Sequence, residues 1–582
     1  MTKTLRTKST SMLSIAGALH RPHVIRLSRM ISVRNHAGSF RPLMDAFLDT
    51  IIIGAGAAGI GASAVLRAAG LQSYVLLEAS NRTGGRVNAF ELGGGGPVGS
   101  SYSKRVILEN GANWVSGAGP QDGSPWPHSA VNPLFHLALR HNLSIVRVPG
   151  SATNMSNWNV SSENGSWVDI DGARRNDVNA VRQCVALMGR SASANLTAAA
   201  AAAACGWKSR DGVDRALLWQ LFTGETGLPP QLMSAMGYLP DPTYEDFGPD
   251  DFFVADQHPR GFARLLDEVA NGALDGGQQS LDTKHLITNA TVAHVKYNCE
   301  AVTVQTVDGR SFRARHLIST LPLGVLQRRA DDIFEPRLSR PQMRALQAIP
   351  MGNYTKIFAQ WVTPFWDTSV YKWAQGNEGF NGGELGSVRN LAHPSVLPGS
   401  NALLFDLGDP QASEWEGMSD KEASARLVRR LRDTHPGAVI PPPIAFHITR
   451  HSRDPLSYGA YSAWGQTTVN DHHAAAKPLS AASMSGPSTD AVSGSDTHSC
   501  PPRVWLSGEA FCPNYNGFVH GGLLSGRRDA RKVLEALGRP TSSLSKLPGE
   551  EAEMGCDRPT ARTKSNNRAP RGSSTSFATV HG

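Results

Sequence analysis

The chain has 582 residues, with 57 Lys+Arg against 49 Asp+Glu, six Cys and 58 Gly. That length allows about three to four average domains, and the 40% apolar content excludes a chain that is disordered throughout. The net charge of +8 points first to an acidic partner, but residues 1–44 carry eight Lys/Arg and no acid, and residues 539–582 carry a further net +3, which leaves the body between them at −3.

A nucleic-acid footprint needs basic residues gathered on a folded face, so none is expected. No stretch reaches the roughly 18 uninterrupted apolar residues of a membrane-spanning helix. The acid-free, Ser- and Arg-rich residues 1–44 read equally as an organelle transit peptide or as a disordered leader, and their apolar part from Met12 to Leu19 is too short for a secretory core. Glycosylation sequons at Asn142, Asn154, Asn159, Asn164 and Asn195 keep the secretory route open, so the address stays undecided among organelle, secretory route and cytoplasm. The cysteines, Cys184, Cys205, Cys299, Cys500, Cys512 and Cys556, form no pair at zinc spacing, and no metal site is expected.

In chain order, the β-branched run at residues 49–53 predicts a buried strand, Ala62–Ala69 a helix ended by Gly70, and Tyr74–Glu78 a second strand. This is a βαβ unit, which implies a parallel sheet and an α/β fold. Residues 150–166 read as loop and Ala198–Ala204 as helix. Residues 301–320 alternate about Asp308-Gly309, a hairpin signal, and Arg503–Ser507 and Leu523–Leu537 predict a last strand and helix. Residues 466–502 have the composition of a flexible insertion, and the tail after Pro540 that of a disordered segment.

Gly54-Ala-Gly56-Ala-Ala-Gly59 matches the dinucleotide fingerprint. A second match, Gly94 to Gly99, lacks the flanking strand and helix and reads as a glycine-rich loop. In the first, Gly54 permits the turn, Gly56 lets a pyrophosphate approach, and Gly59 lets helix and strand pack closely, with the helix N-terminus facing the phosphates. Glu78 ends the second strand, where a carboxylate accepts from both ribose hydroxyls and repels a 2′-phosphate.

Glu78-Ala-Ser-Asn-Arg-Thr-Gly84-Gly85-Arg86-Val87, Glu109-Asn-Gly-Ala-Asn113-Trp114 and Gly508-Glu509 through Asn514-Tyr515-Asn516-Gly517-Phe518-Val519-His520-Gly521 resemble, in order, signature blocks of the flavin amine oxidase family, most of all its polyamine oxidase branch. The resemblance covers about residues 48–538. It implies a Rossmann-type (GR2-like) FAD-binding domain, assembled from 45–125, 261–325 and 503–538, with an interleaved α+β substrate-binding domain from 126–260 and 326–465. It further implies that Arg86 and Glu509 meet the phosphate and ribityl region, the Val519 backbone N–H the isoalloxazine, and the Val292 backbone the adenine. Monoamine oxidases attach FAD through a cysteine of a Gly-Gly-Cys-Tyr motif; here the matching residue is Ala460, which implies noncovalent FAD.

For the reacting site the resemblance implies an aromatic cage of Tyr461 and Tyr515, with Lys356 beside a water at flavin N5 and Glu225 receiving a distant ammonium of a polyamine. Ser116 stands where relatives often place Glu or His, and His451 where they usually carry Trp, with Trp464 a candidate to supply the missing wall. The implied activity is oxidation of spermine, spermidine or acetylated forms by hydride transfer to FAD, with O2 as acceptor and H2O2, an aminoaldehyde and a smaller amine as products. An amino-acid oxidase needs an Arg to clamp a carboxylate, and no Arg stands at a matched pocket position. A histone-demethylase-like protein needs an appended helical arm. A flavin binder without turnover is the reading from outside the enzyme class.

Overall fold

The computed structural model describes most of residues 46–557 and a short antiparallel ribbon pairing Ser32–Arg34 with Phe40–Pro42. The rest of the leader, segments 94–103, 119–130, 149–158, 162–166, 192–195, 236–242, 275–280, 376–383, 466–468, 482–499 and 551–554, some single positions and the chain beyond 557 lie outside the described residues. The Gly94–Gly99 match, most of loop 150–166 and the sequons at Asn154, Asn164 and Asn195 fall there.

The β-branched strand Phe47–Ile53 is buried where it carries Ile51, Ile52 and Ile53, as a central parallel strand requires. Helix Ala57–Ala68 returns the chain to strand Tyr74–Leu77, which pairs parallel with the first. The sheet continues on one side to Leu286–Ile287, and on the other to the long strand Ser311–Ser319, which also pairs parallel with Val504–Leu506. The hairpin read at 301–320 is present: Val302–Thr306 runs antiparallel to Ser311–Ser319, with Val292–Tyr297 beyond it. The C-terminal helix Val519–Ala536 lies on helix Ala57–Ala68, so close that a Cβ on Gly526 would sit 1.9 Å from the Ala58 carbonyl oxygen. The first and last thirds of the chain thereby close one layer.

A second, seven-stranded sheet runs in the order Trp167–Val168, Asn159–Ser161, Lys372–Gln375, Ser387–Asn390, Ala402–Gly408, Tyr354–Gln360, Ala445–Ile448. One face is covered by helices Gln411–Glu416 and Asp420–Thr434 over a core that includes Trp361, Phe405, Trp415 and Leu427. Helices Gly172–Ser191, Ala198–Ala204 and Gly212–Leu221 form a separate helical layer packed on Val160 and Ala374 of this sheet.

Two compositional readings are corrected. Within the supposed flexible insertion 466–502, Val469–Ala475 is a helix with His472 fully buried, its Nδ1–H donating to the Ala510 carbonyl. The supposed disordered tail 539–582 is anchored as far as Asp557: Glu550 pairs with the fully buried Arg527, and Cys556 is bonded to Cys512. Burial of a few residues decides both cases, and average composition does not register it. All six cysteines are paired, as Cys184–Cys205, Cys299–Cys500 and Cys512–Cys556.

Candidate active site

A cavity of about 940 Å³ is lined by residues of both large sheets and of the helical layer. At one end lies the glycine turn. Gly54 has φ +94° and donates to the Leu77 carbonyl, and a Cβ on Gly59 would lie 1.8 Å from the Gly54 oxygen. Helix Ala57–Ala68 starts at Gly56 without a side-chain cap or an acid in its first turn, and Ala57 and Ala58 line the cavity. That leaves free amides and a partial positive charge facing the cavity.

The Glu78 carboxylate accepts from Ala55 N–H at 2.7 Å and from Ser80 N–H and Oγ at 2.8 and 2.7 Å. Oε1 takes both Ser80 bonds, while Oε2 accepts only from Ala55 and keeps a lone pair for a ligand in the cavity that Glu78 lines. Ala290 N–H bonds the Glu78 carbonyl, which brings Val292 to the same end. Arg86 Nη1 donates to Glu509 Oε1 at 3.0 Å and to the Ala460 carbonyl at 2.9 Å. Glu509 also accepts from Ser462 Oγ and from the N–H groups of Ser462 and Gly517. Arg86 and Glu509 therefore brace three distant segments at the cavity wall while lining it. Val519 opens the C-terminal helix at the cavity, again without a side-chain cap. The cradle fits a dinucleotide: two uncapped helix starts, a ribose-type carboxylate and a wall that a Cβ at Gly59 would disrupt.

Lys356 sits on strand Tyr354–Gln360. Alternation puts Tyr354 and Lys356 on the cavity face and Thr355 on the other, where its hydroxyl bonds Glu416. Lys356 is 5% exposed. Its Nζ donates to the Gly111 carbonyl, to Asn113 Oδ1 at 2.9 Å and to the Glu109 carbonyl at 3.4 Å. Burial pulls its pKa down to about 8, against the opposing pull of Asp406 and Glu109. Glu109, behind it, is pushed up to about 7 by its own burial.

Tyr461 lines the cavity, its hydroxyl donating to the Glu225 carbonyl at 3.0 Å. Tyr515 does not join it. It is fully buried away from the cavity, donates to Asp246 Oδ2 at 2.6 Å and packs on Phe247 and His520. Phe518, three residues on, does line the cavity beside Gly517 and Val519. The reason is local: Pro513–Tyr515 is a buried 3-10 turn between the cavity-lining residues Gly508-Glu509 and Asn516–Val519. Cys512 is committed to its disulfide, and no described cavity-lining residue is a cysteine.

Ser116 and His451 both line the cavity. Burial lowers the His451 pKa, and its neutral ring donates through Nε2 to the Asn110 carbonyl at 3.1 Å. Trp464 lines the cavity as well. Glu225, on the short helix Thr223–Thr226, faces the cavity void, and the surrounding protein, which withholds bulk water, raises its pKa. Around it stand groups that the sequence reading did not single out: Arg182, Gln220, Lys372 and Arg389. Lys372 and Arg389 are directly opposite one another on adjacent strands. No motif marked them, because only the pairing of those strands brings them together.

The profile of flavin containing amine oxidoreductases matches residues 57–534. Similar relatives include polyamine oxidase 1 of Zea mays, 28% identical over 82% of this chain and 88% of the relative, and polyamine oxidase 7 of Oryza sativa subsp. japonica, 27% identical over 84% and 94%. Lysine-specific histone demethylase 1 homolog 2 of Arabidopsis thaliana is 27% identical over 86% of this chain and 60% of its own length. With the glycine turn, the carboxylate at Glu78 and the closing helix at Val519 meeting at one cavity, the chain belongs to the flavin containing amine oxidoreductase family, and FAD is its cofactor.

Proposed function

We propose that the protein oxidises aliphatic amines of the polyamine type, with segments 45–125, 261–325 and 503–538 holding FAD and segments 126–260 and 326–465 holding the substrate. The observation that carries this is the single cavity that joins the nucleotide cradle to Lys356, Tyr461 and Glu225. The glycine turn would receive the pyrophosphate, Glu78 the ribose, the Val292 segment the adenine, Arg86 and Glu509 the ribityl region, and the Val519 N–H the isoalloxazine. Bound FAD supplies a two-electron oxidation of the amine carbon, so that amine, O2 and water give an aldehyde, a smaller amine or ammonia, and H2O2.

Tyr461 and Phe518 pack the reacting methylene and tolerate residual positive charge on the amine. Lys356 holds a proton next to the reacting end, in a pocket where its charge is poorly screened. Glu225 receives an ammonium farther along the chain. Closure of these walls excludes water from the reacting carbon. Anaerobic mixing of the purified holoprotein with a panel of mono-, di- and polyamines tests this. Flavin bleaching by a polyamine is expected; a flavin that no amine bleaches would show a binder without turnover.

A further inference from the structure

The part of the cavity beyond Tyr461 carries both signs of charge. Arg147 is paired with Asp250 at 2.7 Å, and Arg389 with Asp406 at 2.5 Å while its guanidinium covers the Trp114 ring. Among the described residues, Glu225, Lys372 and Arg182 line the cavity with no hydrogen bond or ion pair at their charged atoms, although Lys372 and Arg182 both act on Glu225 through space. Gln220 is 5% exposed, lines the same wall, and its Nε2 has no hydrogen-bond partner. Gln220 leaves a buried amide nitrogen without a partner, which is costly, whereas Glu225 is exposed to the cavity and Lys372 and Arg182 are partly so, with no counter-ion in contact. Three ions without a counter-ion in contact and one unpaired amide on the same cavity wall mark a place where a ligand supplies the missing partners.

Their chemistry defines that ligand. One acceptor of an ammonium, Glu225, stands with two donors to a carboxylate, Lys372 and Arg182, and a neutral donor, Gln220. A simple polyamine would satisfy Glu225 and meet repulsion from both cations. An α-amino acid head satisfies all four. Lys356 is opposite Asp406, and Lys372 is opposite Arg389, with the strands in the order Lys372–Gln375, Ser387–Asn390, Ala402–Gly408, Tyr354–Gln360. Lys372 lies on the row of Arg389, Leu404 and Phe358, two residues along from the row of Lys356, so three strand spacings and that offset put about 16 Å between Lys372 and Lys356, room for an aliphatic chain between the head and the reacting amine. Burial drives the Lys372 pKa down to about 8, as it does for a cation without a counter-ion in contact.

We infer that the distal end of the cavity is a zwitterion subsite, and that the preferred substrate is an amine chain ending in an α-amino acid head, oxidised at its side-chain amine. This rests on the amine-oxidase reading above. The test compares pairs that differ only by the carboxylate, L-lysine with cadaverine and L-ornithine with putrescine, alongside spermidine, on the holoenzyme. The expected result is a kcat/KM at least tenfold higher for the amino acid of each pair, with an ω-aldehyde that keeps its α-amine. Lys372→Met and Arg182→Gln should each reduce that ratio about tenfold, with FAD content unchanged; the second serves if the first fails to fold.

Preference for cadaverine or spermidine, or an α-keto acid product, would overturn the subsite. If no amine reacts at all, the amine-oxidase reading falls separately, and thermal shift then reads the subsite on its own. Stabilisation by L-lysine above cadaverine keeps it, and the reverse removes it.

Discussion

Lys356 shows how a strand position acquires chemistry from its surroundings. Its three acceptors suit an ammonium, which has three N–H donors, while burial favours the neutral amine and brings the pKa to about 8. A lysine with a lowered pKa is cationic below that value and loses its charge above it. A cation fixed next to a site where O2 takes up electrons stabilises the developing negative charge. The O2 half-reaction should therefore slow as pH rises through about 8. Lys356→Met should lower its rate by about 10²-fold and remove that pH step, with FAD retained. Stopped-flow reoxidation across pH checks this, and unchanged rates in both half-reactions would refute the role. The sequence marked Lys356 through its motif but put Tyr515 in the cage, because adjacent aromatics in a turn give no indication of which one faces the cavity.

The strand, turn and helix at residues 47–68 were readable because each constraint is local: β-branched residues for a buried strand, glycines where a Cβ cannot fit, and helix formers beyond. The closeness of the turn gives a sharp expectation. Gly59→Ala would drive a Cβ into the Gly54 carbonyl, costing about 1–3 kcal/mol or more through overpacking and displacing the pyrophosphate cradle. Gly70, at φ +71° but with open space around it, should cost only about 1 kcal/mol as Ala. Flavin content and Tm of the two variants separate the effects; a Gly59→Ala protein with full flavin and wild-type Tm would contradict the close packing. Helix Val469–Ala475 was not readable, since its residues resemble the polar stretch around it and only contacts with distant elements bury it.

At the scale of the molecule, the C-terminal segment fastens the layer that carries the cofactor site. Arg527 has no exposed side-chain surface and Glu550 only 4%, and Cys512–Cys556 closes the same region across 44 residues. Removing one partner of a buried ion pair costs about 3–5 kcal/mol, and a loop of this length contributes about 4 kcal/mol through its crosslink. Truncation after Pro540 should thus lower Tm strongly and loosen FAD, and Glu550→Gln should reproduce the ion-pair part alone. Equal Tm for the truncated and full-length holoproteins would show that the segment does not brace the layer.

The sequence by itself determined what depends on neighbours along the chain: the dinucleotide turn, the family signatures, the alternation that puts Lys356 on one face, and the slightly acidic body between basic ends. The tertiary structure decided what depends on residues far apart in the chain. It paired cysteines as much as 201 positions apart, turned Tyr515 inward and Phe518 to the cavity, and gathered Arg182, Gln220, Glu225 and Lys372 around one space. Local geometry is encoded over a few residues, whereas the charge facing a substrate is a sum over strands and helices that only packing brings into contact.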